Sequence, residues 1–158
     1  MKIIKKINYL FIILIFVTGC GFKIENNIKK NNFSIKEIQT SGDNRINFKI
    51  KNYLLSNSKK NATNSINLSL KTKKTKTIKE KNINNEITKY EVNIFTLVEF
   101  YLNNTTKNTL NISSAGSYIV AEKNYSTTLS NERTIVENLT ENISEKILEE
   151  INLKINDN

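Results

Sequence analysis

The spacing of apolar residues changes several times along this chain, and each change marks a boundary. Behind a head carrying Lys2, Lys5 and Lys6 runs an unbroken apolar stretch, Tyr9–Val17. After a polar interval, Asn32–Thr40 places Phe33 and Ile35 on one face and then Ile38, which predicts a first strand. Ser41-Gly42-Asp43-Asn44 is turn and helix-cap chemistry. Ile46, Ile50, Tyr53 and Leu54 then recur at i, i+4, i+7 and i+8, the spacing of an amphipathic helix. Ile46, Phe48 and Ile50 also alternate, so a strand competes there; we read helix.

Ser56–Asn64 reads as a polar loop, after which Ile66, Leu68 and Leu70 alternate with Asn67, Ser69 and Lys71 as in a half-buried strand. That strand runs into Lys71, Lys73, Lys74, Lys76, Lys79 and Lys81, interleaved with Thr72, Thr75 and Thr77. Asn82–Glu86 predicts a turn. The clearest strand is Tyr90–Leu102, whose even positions Tyr90, Val92, Ile94, Thr96, Val98, Phe100 and Leu102 form a core face. Its other face is partly apolar, through Phe95, Leu97 and Tyr101. Asn103–Asn108 predicts a hairpin loop and Leu110–Ala121 the returning strand, in which Gly116 marks either a bulge or a close approach.

From Ser130 to Ile155 the period becomes helical, with Val136, Leu139, Ile143, Ile147 and Ile151 in one broad stripe. Ser130 is the expected N-cap, and Glu132 falls near the positive helix end. Glu137, Glu141, Glu145 and Glu149 repeat on the far side, either as a solvated face or as a face docking on a basic surface such as the lysine-rich strand. The order β-α-β-β-β-α implies an α+β fold, a mainly antiparallel or mixed four-stranded sheet packed with one short and one long helix.

The first apolar run has the form of a secretory signal: a charged head, an apolar middle and small residues before a cleavage point. As a helix its nine residues reach only about 14 Å, against a hydrocarbon core of roughly 30 Å. Val17-Thr18-Gly19-Cys20 resembles the lipobox of bacterial lipoproteins, which implies cleavage after Gly19 and lipid attachment, palmitate included, at Cys20. One acyl chain gives only marginal attachment, whereas two or three hold a protein at a bilayer. Gly21 in place of Asp resembles the pattern of lipoproteins exported to the outer membrane and facing the periplasm. The expected organisation is residues 1–19 signal, 20–32 lipidated N-terminus and tether, and 33–158 one domain.

Charge adds less than it first suggests. The net charge is +9, but the signal carries three lysines and no acid, so 21 basic against 15 acidic residues leave +6 on the mature chain. Arg45 and Arg133 are the only arginines, whereas base-reading sites favour the planar arginine fork. With abundant Asn and Ile and no Pro or Trp, the lysine excess looks compositional, and we expect no nucleic-acid partner. Catalysis has little to stand on either. There is no His for general-base work, the single Cys is taken by lipid, and the four glycines form no phosphate loop. We expect no enzyme, no metal site and no cofactor.

Gly19-Cys20-Gly21-Phe22-Lys23 is similar to the start of the LptE family, in which Gly-Phe follows the lipidated Cys. Ser114-Ala115-Gly116-Ser117-Tyr118-Ile119-Val120, then Glu132-Arg133 and a long C-terminal helix, resembles the family's second half. Ile24-Glu25 and the lysine-rich middle depart from the family pattern. The resemblance implies a non-enzymatic outer-membrane lipoprotein that plugs the LptD β-barrel, helps it assemble, and engages lipopolysaccharide on its way to the cell surface. The alternative is an unrelated periplasm-facing binding module without a barrel partner.

The one candidate ligand surface is Lys71, Lys73, Lys74, Lys76, Lys79 and Lys81. Their ammonium groups could hold the phosphates and sugar carboxylates of lipopolysaccharide. In a strand Lys71 and Lys73 share one face and Lys74 and Lys76 the other, and lysines of this kind also protect a sheet edge from unwanted pairing. Both readings stay open at the level of sequence.

Overall fold

The computed structural model describes residues 33–103 and 106–156. The expected signal with Gly19, the expected lipidation site Cys20 and the expected tether through Asn32 lie outside the described residues. The elements are β1 (Phe33–Gly42), α1 (Asn44–Asn57), β2 (Asn64–Lys81), β3 (Ile87–Leu102), β4 (Thr106–Ile119) and α2 (Tyr125–Asn156). This is the expected α+β class and order. The strands form one mixed sheet in the order β1-β2-β3-β4, with β1 parallel to β2 and the remaining pairs antiparallel.

Alternation decides which sheet face is core. Ile66, Leu68 and Leu70 of β2, Val92, Ile94, Val98 and Phe100 of β3, and Leu110, Ile112 and Tyr118 of β4 are buried on the helix-covered face. Against them α1 packs Ile46, Ile50 and Leu54, and α2 packs Leu139, Ile143, Ile147 and Ile151. Each such aliphatic side chain contributes roughly 1.5–3 kcal/mol relative to exposure. In α1 the ambiguous alternation is resolved by Phe48, which is 66% exposed, whereas a strand would have placed it beside Ile46 and Ile50. Asp43 caps this helix, its carboxylate accepting from the N–H groups of Arg45 and Ile46, both at 3.1 Å.

The long helix corrects the sequence reading. It starts at Tyr125 instead of after Ser130, because Asn124 does the capping: its side-chain oxygen accepts from Thr127 N at 3.1 Å and from Ser126 Oγ at 2.8 Å. Ser130 lies inside the helix. The first turns were hidden because Tyr125 and Leu129 are exposed and add nothing to the core stripe. Other boundaries also move. The helix α1 continues to Asn57, β3 begins at Ile87, and β4 begins at Thr106, inside the expected loop, and stops at Ile119. Asn103, with φ +49°, leaves β3 by exchanging bonds with Ser65: its backbone N–H donates to Ser65 O at 2.8 Å, and its side-chain oxygen accepts from Ser65 N at 2.9 Å.

Two glycines hold close approaches. A Cβ at Gly116 would sit 2.8 Å from Ile135 Cδ1, so α2 crosses β4 there, and the β3–β4 register passes through it without a bulge. At Gly42 a Cβ would lie 1.9 Å from the Thr72 carbonyl oxygen, and its φ of +93° is one that L side chains rarely adopt. Here β1 breaks off from β2 and the chain turns up into α1.

Candidate functional site

The lysine-rich segment begins where the sheet loses a strand. Gly42 pairs with Thr72, and β1 ends at that point; from Lys73 onward β2 has a register partner only in β3. Register places Lys74 opposite Ile94 and Lys76 opposite Val92, on the helix-covered face. Lys71 and Lys73, opposite Leu97 and Phe95, are on the uncovered face. Register shifts between Ile78 and Glu80 and again between Glu80 and Lys81 turn the end of the strand away.

The six lysines therefore do not form one patch. Lys76 reaches toward α2 and pairs with Glu132 at 2.7 Å, while the Tyr118 hydroxyl donates to the same carboxylate oxygen at 2.7 Å. The ammonium group also stands 4.2 Å from the Tyr90 ring centre, a cation–π contact. The Lys76 contact, against opposing desolvation and with help from Tyr118, holds the Glu132 carboxyl below its ordinary range. Desolvation works against the charged form of Lys76, but the Glu132 and Tyr118 contacts outweigh it and raise its pKa. Lys79 pairs with Glu91 at 2.9 Å, and Lys81 donates to the Asn85 side chain at 2.8 Å. Among the described residues, Lys71, Lys73 and Lys74 have no ion pair within 4 Å. From Lys73 onward the lysines stand on an edge that has just lost its neighbour, which fits the edge-protecting reading, whereas Lys71 still pairs with Ser41 of β1. Lys71, Lys73 and Lys74, the last of which acts on Glu132 only at longer range, are what remains for a ligand.

The glutamate row on α2 divides similarly. Glu137 bonds Lys49 of α1 at 2.7 Å, both groups about half exposed, a pair worth at most about 1 kcal/mol. Glu141, Glu145 and Glu149 face solvent. The contact with the lysine strand comes from Glu132, which the fourfold spacing did not include.

Sequence reasoning missed a cleft of about 890 Å³ between the first turns of α1 and the first half of α2, with Lys74 of β2 also lining it. Both arginines of the chain, Arg45 and Arg133, line it, with Phe48 and Leu129 exposed beside them. Its carboxylates are engaged: Asp43 caps α1, Glu132 holds Lys76, and Glu137 holds Lys49. Two arginines 88 positions apart gave no signal in the sequence.

The face of the sheet away from the helices is uncovered. It carries short polar side chains, Ser69, Thr75 and Thr77 on β2 and Thr109, Asn111, Ser113 and Ser117 on β4, together with Lys71, Lys73, Glu91 and Glu99. Phe95 and Tyr101, each 43% exposed, and Leu97 make a ridge along β3. Among the described residues there is no group of three or more possible metal ligands, and no helix is long and apolar enough to cross a membrane.

No family model matches the sequence, and no curated protein does. The fold does have solved counterparts. The lipoprotein B structure from Nitrosomonas europaea superposes with a TM-score of 0.63 at 10% identity, covering 87% of this chain and 94% of that one. Rare lipoprotein B from Shewanella oneidensis gives 0.58 at 12% identity, over 76% of this chain and 97% of that one. A minor lipoprotein from Acinetobacter baumannii gives 0.58 at 11%, over 78% and 92%. At these identities the likeness establishes a shared fold: the mixed four-stranded sheet with two helices on one face is that of bacterial lipoprotein domains.

Proposed function

We propose that this chain is an outer-membrane lipoprotein, anchored through Cys20 and facing the periplasm, that plugs and helps assemble an LptD-like β-barrel for lipopolysaccharide transport. The observation that carries the reading is the uncovered sheet face. With both helices on one side, the sheet leaves its other face open: Ser, Thr and Asn with Lys71, Lys73, Glu91 and Glu99, around the Phe95–Leu97–Tyr101 ridge, a largely polar surface that matches the polar interior of an outer-membrane barrel. The lipobox-like Val17-Thr18-Gly19-Cys20 and the fold shared with bacterial lipoproteins support the anchor. In this role the domain acts by shape and charge, without turnover and without a cofactor. Lys71, Lys73 and Lys74 are the cations left to meet lipopolysaccharide phosphates, whereas Lys76, Lys79 and Lys81 serve mainly to hold the strand end.

The test is extraction of the tagged lipoprotein in mild detergent from its own membranes, followed by identification of what accompanies it. A large outer-membrane barrel in stoichiometric amount is the expected result. Recovery as a free monomer would replace this reading with a periplasm-facing binding module. For the ligand, Lys71→Gln, Lys73→Gln and Lys74→Gln combined should weaken lipopolysaccharide binding at low salt, and unchanged affinity would remove the lysines from that role.

A further inference from the structure

Where β1 stops, β2 is left with an open edge, and that edge adjoins the arginine-lined cleft. The Thr72 carbonyl faces the β1 side, since it accepts from Asp43 N at 3.3 Å. The Ser65 carbonyl faces β3, since it accepts from Asn103 N. Backbone groups alternate along a strand. The even residues therefore aim theirs outward, and beyond Thr72 these are Lys74, Lys76 and Ile78, up to the register shift. A row of outward N–H and C=O groups is a template for strand addition.

The side chains around this edge select what could add. Lys73 flanks it on the uncovered face and Lys74 on the helix face, and Lys74 also lines the cleft with Arg45 and Arg133. None of these four cations has an ion pair within 4 Å among the described residues; Lys74 and Arg133 act on Glu132 and Glu137 only at longer range, and those carboxylates are held by Lys76 and Lys49. A second copy of this chain would bring lysines against lysines, which costs affinity. An acidic strand would meet complementary charge instead. Alternate residues of an added strand point to opposite faces. Its acidic residues would point into the cleft toward Lys74, Arg45 and Arg133, past the exposed Phe48 and Leu129, and its apolar residues would lie on the uncovered face, on the side of Phe95, which is 43% exposed.

We propose that the β2 edge at Lys74–Ile78, together with the Arg45–Arg133 cleft, is a docking site for an extended protein segment that alternates acidic and apolar residues and adds to the sheet as a strand in line with β1. Arginine suits the cleft because its fork pairs bidentately with carboxylates. The proposal does not depend on a barrel partner, and its test uses none.

The probe is a fluorescent peptide of about ten residues alternating Glu and Val, titrated by anisotropy against the full-length lipoprotein in neutral detergent at low salt. Alternating Lys and Val, and the Glu–Val peptide N-methylated at every second residue, serve as controls. The Glu–Val peptide should bind, weaken as salt rises, and slow amide exchange at Lys74, Lys76 and Ile78; both controls should fail. Lys74→Gln removes the charge alone, whereas Lys74→Pro also removes an outward N–H, which an edge position tolerates. Lys74→Pro should bind about fivefold more weakly than Lys74→Gln, the effect of one hydrogen bond. Arg45→Gln with Arg133→Gln should lose about tenfold or more, two charge-assisted contacts. Absence of binding at low salt, binding that survives N-methylation and Lys74→Pro, or sedimentation as a dimer joined at this edge would each overturn the proposal. Slowed exchange confined to α1 and α2 would also overturn it, because it would mean a ligand in the cleft without a strand.

Discussion

The Thr72 hydroxyl donates to the side-chain oxygen of Asn47 across 3.0 Å, both residues almost completely buried. Asn47 in turn donates to Ser41 O at 2.9 Å, and Thr72 Oγ1 accepts from Asp43 N at 3.1 Å. A side chain on β2 and one on the first turn of α1 thus satisfy the polar groups left where β1 ends. Buried polar groups without partners are costly, so this network fixes where the chain leaves the sheet. Asn47→Ala and Thr72→Val should each destabilise by about 2 kcal/mol, the cost of stranding a buried acceptor or donor. Urea unfolding followed by circular dichroism measures it; a change within error would mean the network is dispensable.

Thr96 lies opposite Thr72 in the β2–β3 register and is fully buried, yet its hydroxyl has no hydrogen-bond partner among the described residues. Thr96→Val replaces an unsatisfied hydroxyl with a methyl of similar size. Stability should rise by about 1 kcal/mol. Loss of stability in the same urea experiment would show that the hydroxyl does have a partner.

The two glycines should respond differently. At Gly42 the obstacle is a backbone carbonyl and the conformation itself is strained for a side chain, so Gly42→Ala should cost about 3 kcal/mol or more. At Gly116 the nearest atom is the tip of Ile135, which can turn aside, and the replacement also favours the strand. Gly116→Ala should stay within about 1 kcal/mol of the original, whereas Gly116→Leu should cost about 1–3 kcal/mol through overpacking. Paired thermal melts decide the ranking.

Acid should loosen the junction between β2 and α2. The Glu132 carboxyl is held below its ordinary value of 4.5, so its contribution is fully present above that pH and is lost as pH falls through the lower folded-state value. Relative to the original, Glu132→Gln should be less stable at neutral pH by about 1 kcal/mol. The gap should close as pH drops below 4.5. Parallel curves at all pH values would show that Glu132 does not sense Lys76.

Cys20→Ala should abolish labelling by radioactive palmitate and release the protein from the membrane fraction. Equal labelling, or equal membrane retention, would refute the anchor.

Much of the architecture was legible because period and burial agree. The even positions of Tyr90–Leu102 face the core as their alternation implied, and Leu139, Ile143, Ile147 and Ile151 form the buried stripe of α2. The start of α2 was illegible for a physical reason: its first turns bury no large apolar residue, and Asn124-Tyr125-Ser126 reads as turn chemistry until its cap is seen. The lysine run was visible, and so was its split between two faces, but which lysines are held by partners was not. The partners depend on β1 ending opposite Thr72, on register shifts and on where α2 packs, all consequences of pairing at a distance. The cleft was invisible, since Arg45 and Arg133 meet only when two helices pack.

The placement of β1 also has a mechanical side. Phe33 begins the described chain with its ring fully buried and its carbonyl accepting from Lys59 N at 3.0 Å, and the strand behind it runs parallel to β2 along its whole length. Traction applied ahead of Phe33 would run along the strand axis and strain the interstrand bonds in shear, many at once, instead of peeling them off singly. If the domain hangs by its N-terminus, as proposed, it is gripped along the direction in which its sheet resists best.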